Sequence, residues 1–114
     1  MPYYVRAMIN RYVASKQFAR KALKLIGVDG IQALYKELNE NPEAGDLIPH
    51  GKGLRKYRVA IPGRGGKSGG ARVIYYFTAA DGACYLFTIY AKNEMENLPA
   101  SELKVLAKIV SELK

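Results

Sequence analysis

Hydrophobic and polar positions alternate at the start of the chain, with Tyr3, Val5, Ala7 and Ile9 set against Tyr4, Arg6, Met8 and Asn10. This period of two predicts a strand over residues 3–10 with one face buried. The period then lengthens. From Ser15, whose hydroxyl can cap orphan amides, Phe18, Ala22, Leu25 and Ile26 recur at helical spacing until Gly27 offers a left-handed stop. A second helix follows at once. Asp29 and Gln32 have capping-box spacing, Ile31, Leu34, Tyr35 and Leu38 make an apolar stripe, and Asn41-Pro42 ends it, because proline disfavours helix in its predecessor. Two short helices in tandem predict a helical hairpin.

Residues 43–53 read as a loop punctuated by Gly45, Pro49, Gly51 and Gly53, and an alternating run from Leu54 to Ile61 reads as the second strand, closed by Pro62. Arg72–Thr78 and Cys84–Ala91, rich in aromatic and β-branched residues, predict two more strands, with the Asp81-Gly82 pair as the hairpin turn between them. In the last segment Leu103, Leu106, Ile109, Val110 and Leu113 fall on one helical face, with Asn97 or Ser101 as the cap. The order β-α-α-β-β-β-α describes an α+β fold: a small antiparallel sheet with helices packed on one side, as a single domain over residues 1–114.

Composition fits one core. At 114 residues and 49% hydrophobic, the chain excludes multidomain machinery and wholesale disorder. One cysteine, Cys84, and one histidine, His50, exclude an internal disulfide and a Cys/His zinc site, so neither a metal nor another cofactor is expected. The N-terminus lacks a secretory pattern and no apolar run reaches membrane-spanning length, which predicts a cytoplasmic protein with no membrane partner.

Charge adds a partner class. The formal net charge is +8, and the surplus is concentrated: between Asp46 and Asp81 there is no acidic residue, while Lys52, Arg55, Lys56, Arg58, Arg64, Lys67 and Arg72 all lie there. Seven of the eleven glycines share that window, so backbone amides can approach a ligand closely beside fixed cations. Singly these cations would read as solubility charges. Their joint segregation points to a phosphate backbone.

Strand alternation sharpens this. Tyr57, Val59 and Ile61 share one face, so Lys56 and Arg58 stand side by side on the other. If Phe87, Ile89 and Ala91 point into the core, Tyr90 and Lys92 point outward, and Arg72 joins them. Such a basic face can hold single-stranded RNA through phosphate contacts and stacking on tyrosine, worth roughly 1–3 kcal/mol per base. The other tyrosines read as packing residues. The glycine-rich run after Pro62 is no nucleotide-binding P-loop, since a match anchored on Gly66-Lys67-Ser68 needs glycine where Ile61 stands, and a strand follows instead of a helix. His50 reads as an exposed loop residue and Cys84 as a small buried hydrophobe.

Four ordered motifs then carry a resemblance: Glu43-Ala-Gly-Asp-Leu-Ile-Pro, Gly53-Leu-Arg-Lys-Tyr-Arg, Gly63-Arg-Gly-Gly-Lys-Ser-Gly-Gly-Ala-Arg-Val-Ile-Tyr-Tyr and Tyr90-Ala-Lys-Asn-Glu. Spread over roughly residues 31 to 110, most of one domain, they resemble the HigB-type branch of the RelE/ParE toxin superfamily. The resemblance implies a type II toxin that enters the 30S A site of the ribosome, beside rRNA, and cuts translated mRNA. It also implies a cognate antitoxin with a helix-turn-helix or acidic segment.

By the same resemblance, Lys56, Arg58 and Arg72 match positions that orient mRNA and balance charge as a ribose 2′-hydroxyl attacks the adjacent phosphate. Arg64 and Lys67 lie in the HigB-like loop, and Tyr90 and Lys92 match the motif ending the last strand. Lys52, Arg55 and Lys67 are the further RNA-binding candidates. The chain departs from RelE itself near Asn93 and Leu98, where that relative has an arginine and a tyrosine. Arginine cannot serve as a base near neutral pH, so Arg58, Arg64 and Arg72 would clamp phosphate and stabilise the transition state. Lys56 or Lys92, crowded by like charge, are the candidate bases, and Tyr90 is a proton donor or stacking platform. Two other readings are a ParE-like gyrase poison on the same scaffold and a non-catalytic RNA- or ribosome-binding module.

Overall fold

The computed structural model describes residues 8–64, 66 and 69–114. Its elements are β1 (Arg11–Ala14), α1 (Lys16–Leu25), α2 (Gly27–Glu40), β2 (Asp46–Leu47), β3 (Arg55–Val59), β4 (Ala71–Thr78), β5 (Ala83–Ala91) and α3 (Ala100–Leu113). One five-stranded sheet runs in the order β1-β5-β4-β3-β2. The α+β class stands, but the sheet is mixed. Strands β2 to β5 pair antiparallel with their neighbours, while β1 lies parallel to β5. A parallel pair needs a long crossover, and everything from α1 to β4 lies between these two strands.

The first strand differs from expectation in position. Residues 3–7 lie outside the described residues, Met8 to Asn10 are not strand, and the paired segment is Arg11–Ala14. Its start is fixed by Asn10, whose backbone N–H donates to the Gly82 carbonyl at 2.7 Å. Gly82 itself turns the predicted β4–β5 hairpin with φ of +71°. At the opposite edge, β2 forms inside the segment read as loop, and two residues are too short for alternation to reveal.

Ser15 caps α1 as predicted, accepting from the Phe18 N–H at 2.9 Å. The same hydroxyl donates to the Phe87 carbonyl at 2.7 Å and so ties the helix start to β5. Gly27, with φ of +70°, lets α2 begin without a connecting loop. The Asp29–Gln32 capping box does not form, because α2 starts earlier, with Ile26 in the cap position and no side-chain cap bond. Asp29 instead lies in the first turn, where its charge suits the helix dipole. Asn41 ends α2 as expected, and Pro42 follows it.

Helices cover both faces of the sheet, not one. Against the first face, Phe18 and Ala22 of α1, Ile26 at the junction of the two helices, and Leu34 and Leu38 of α2 bury Val59, Ala71, Val73, Tyr75, Cys84, Leu86 and Ile89. Against the second, Leu103, Leu106, Val110 and Leu113 of α3 pack with Leu54, Ile74, Tyr76 and Tyr90. Ile109, assigned to that stripe by spacing, is exposed together with Val105. Val73-Ile74-Tyr75-Tyr76-Phe77 has no polar alternate, which is the signature of a strand covered on both sides. α3 lacks a side-chain cap: Pro99 holds the cap position, and neither Asn97 nor Ser101 fills it.

A bulge corrects one more face assignment. Ile74 pairs with Thr88 and Tyr75 with Leu86, leaving Phe87 without a partner across the ladder. The extra residue reverses the alternation. Phe87 therefore packs with the α3 cluster, while Ile89 and Ala91 remain in the first core as expected.

Candidate functional site

The register of three strands draws one line of polar side chains. Arg58 on β3 pairs with Arg72 on β4, and Arg72 pairs with Tyr90 on β5. All three point to the α3 side, because Val59, Val73 and Ile89 beside them fill the opposite core. One step along, Lys56 on β3 pairs with Asp46 on β2 and Ile74 on β4. These elements wall a cleft of about 350 Å³ lined by Asp46, Lys56, Arg58, Tyr90, Asn97 and Leu98, among others. The segment between β5 and α3 closes it from above.

The groups along this line and beside it are unequally held. Lys56 is half-buried, and its Nζ donates to Asn97 Oδ1 at 3.4 Å. Arg58 is exposed. Arg72 is only 5% exposed, and its guanidinium donates to the Ala71 carbonyl at 3.1 Å. Tyr90 is 4% exposed, and its buried hydroxyl has no hydrogen-bond partner among the described residues. Burial raises the Tyr90 phenol above its ordinary pKa, against an opposing pull from Arg72 and with a further push from Glu102 of α3. Tyr90 is not the open stacking platform that alternation alone implied, because α3 covers its face.

Other predicted residues go elsewhere. Lys92 is exposed just past β5, where its backbone N–H donates to the Gly70 carbonyl at 3.0 Å; it does not line the cleft. Arg64 is exposed in the turn after Ile61, also away from the cleft. Lys67 lies outside the described residues. Lys52 lines a separate groove with His50 and with Lys104 and Lys108 of α3. Arg55 lies on the face opposite Lys56, where its guanidinium binds the Gly45 and Glu43 carbonyls at 2.7 and 3.2 Å and the Glu43 carboxylate at 3.6 Å. It clamps the loop before β2 and takes no part in the cleft.

Two features escaped the sequence reading. Asp46 and Asn97 enter the cleft from a short edge strand and from the segment before α3, and no periodic signal marks either. A second groove of about 510 Å³ lies on the other side of Tyr90, lined by Arg20, Lys21 and Lys24 of α1 with Met95 and Glu94. α1 contains no carboxylate, so its cations at i, i+4 spacing repel one another unrelieved by the helix itself. Packing also fixes Arg72. A Cβ on Gly70 would lie 2.1 Å from the Val59 carbonyl oxygen, so only glycine lets β4 start this close to the end of β3.

Chemically, the cleft can hold a phosphodiester between Lys56 and Arg58, with Tyr90 in its wall and the buried Arg72, which does not line it, on the next strand beside Arg58. No helix among the described residues is long and apolar enough to cross a membrane.

The family model described as the RelE toxin of the RelE / RelB toxin-antitoxin system matches residues 10–114. Among solved structures, a double mutant of the E. coli toxin RelE in its free state superposes with a TM-score of 0.55 at 20% identity, covering 90% of this chain and 95% of that one. At that identity the likeness speaks for the fold.

Proposed function

Since this chain belongs to the RelE toxin family, we propose that it is a ribosome-dependent endoribonuclease of the HigB-like kind, which cuts translated mRNA in the A site and so stops translation. The observation that carries this reading is the line Arg58–Arg72–Tyr90 across three strands with Lys56 beside it, all on one side of the sheet. That arrangement suits a phosphodiester whose charge grows in the transition state. Support for the HigB-like kind comes from the sequence, in the likeness of the glycine-rich run from Gly63 to Gly70 to the motif of that branch.

In the proposed reaction the ribose 2′-oxygen bonds to the adjacent phosphorus as its proton leaves. The bond from phosphorus to the 5′-oxygen breaks, and that oxygen takes up a proton. The products are a 2′,3′-cyclic phosphate and a 5′-hydroxyl end. Arg58 and Arg72 stabilise the five-coordinate phosphorus, Lys56 positions a non-bridging oxygen, and Tyr90, in the wall of the cleft, is the proton source for the leaving oxygen. An antitoxin with an acidic segment would cover the same cations, as the net charge of +8 favours.

The test is mapping of new mRNA 5′ ends after adding the purified chain to a translating extract, with naked mRNA and Arg58→Ala in parallel. Cuts confined to A-site codons, absent with naked mRNA and with the variant, support the reading. No cuts by the folded wild-type chain would sink it, and inhibition of supercoiling in a gyrase assay would then identify the poison instead.

A further inference from the structure

We propose that Asp46 is the general base of this site, the group that takes the proton from the attacking 2′-hydroxyl. The assignment rests on the endoribonuclease reading and supplies what that reading lacks. Arginine stays protonated, and the candidate lysine base in the cleft, Lys56, is engaged as a donor to Asn97 at 3.4 Å. Asp46 offers the alternative acceptor, as the one carboxylate among the described lining residues of the cleft.

Its position fits. Asp46 stands on β2 opposite Lys56, with strands β3 and β4 between it and Tyr90 on β5. Three strand spacings separate β2 from β5 by roughly 14 Å. An in-line displacement needs the proton acceptor on one side of phosphorus and the leaving-group donor on the other. Here the acceptor lies at one edge of the cleft, the donor at the far end, and the cations that hold the phosphate between them.

The carboxylate is also uncommitted. No ion pair or side-chain hydrogen bond engages Asp46 among the described residues, although Lys56 lies directly across the ladder. The Lys56 ammonium turns instead to Asn97. Two residues pin Asp46 from behind: a Cβ on Gly45 would meet the Tyr75 ring at 2.8 Å, and the Gly45 N–H donates to the Tyr75 hydroxyl at 2.9 Å. Arg55 grips the Gly45 carbonyl from the same side. The bond balance is complete without a co-reactant. The 2′-hydroxyl proton passes to Asp46 as the oxygen–phosphorus bond forms, the electron pair of the broken bond leaves on the 5′-oxygen with its proton, and the carboxylic acid returns its proton to water.

The experiment compares wild type, Asp46→Asn and Asp46→Glu in the ribosome-programmed cleavage assay, from pH 7 to 9, with ribosome co-sedimentation of each. Asp46 is exposed, so neither substitution threatens the fold. Expected for Asp46→Asn are unchanged sedimentation, unchanged cut positions and a rate lower by about 10²- to 10³-fold, with Asp46→Glu recovering at least about a tenth of wild type. Hydroxide then replaces the base, so the Asp46→Asn rate climbs more steeply with pH than the wild-type rate. The assignment is overturned if Asp46→Asn cuts within about threefold of wild type, if it no longer sediments with ribosomes, or if Asp46→Glu is no faster than Asp46→Asn. Absence of cutting by wild type removes the endoribonuclease reading itself and this assignment with it, an outcome distinct from the other three.

Discussion

Arg72 and Tyr90 face each other on neighbouring strands, and both are buried on the side of the sheet that α3 covers. Desolvation raises the Tyr90 phenol above its ordinary pKa and outweighs the opposing pull of the guanidinium beside it. The pair thus sets a guanidinium beside a phenol whose proton burial holds more firmly than water would.

Stability and activity should separate at Tyr90. The hydroxyl is buried without a partner, so Tyr90→Phe removes an unmet polar group and should leave thermal stability unchanged or raise it by up to about 1 kcal/mol. Cleavage should fall at least about tenfold, because the donor is lost. Melting curves and the extract assay on one preparation read both. A destabilised Tyr90→Phe would mean that the hydroxyl is bonded in the native protein.

The two arginines should differ in the opposite sense. Arg58 is exposed, so Arg58→Ala should change stability by less than about 0.5 kcal/mol while lowering cleavage by about 100-fold. Arg72 is buried, and Arg72→Ala should cost more than about 1 kcal/mol as well as activity. Urea titrations of both variants distinguish these cases, and equal destabilisation would count against the burial difference.

Ser15 joins two elements through one hydroxyl. Ser15→Ala loses both the cap to Phe18 and the bond to the Phe87 carbonyl at the bulge, and should destabilise the fold by about 1–2 kcal/mol. Amide hydrogen exchange should quicken at the start of α1 and around Phe87 together. Faster exchange in α1 alone would show that the bulge is held by other means.

Alkaline pH should unfold the chain through buried acids. Burial raises the Cys84 thiol from 9.0 to about 12 and the Tyr75 phenol from 10.0 to about 12. Each group keeps its proton longer when folded, so the stability it contributes is intact below its ordinary pKa and is lost as pH rises towards 12. Urea midpoints should hold to about pH 9, fall from there, and fall faster above about pH 10. Cys84→Ser removes the earlier loss only, and a variant with the wild-type profile would exclude the thiol.

Local pattern determined much of this protein. The Ser15 cap, the Gly27 junction, the Asn41-Pro42 stop, the Asp81-Gly82 hairpin and the placing of Lys56 and Arg58 opposite Tyr57 and Val59 are all set by a few neighbouring residues, which is why the chain alone reveals them. The ordered motifs that resemble a toxin family are equally linear. Tertiary structure decided what depends on distant surfaces. The α3 stripe needed an apolar face, α1 and α2 already filled one, and so α3 covered the side of the sheet that carries Arg72 and Tyr90. The Phe87 bulge reversed a face by one residue, and the edge pairing of β2 brought Asp46 opposite Lys56. Periodicity shows that a residue leaves the core of its own strand. Only packing settles whether water, a second core or a reacting group meets it on the other side.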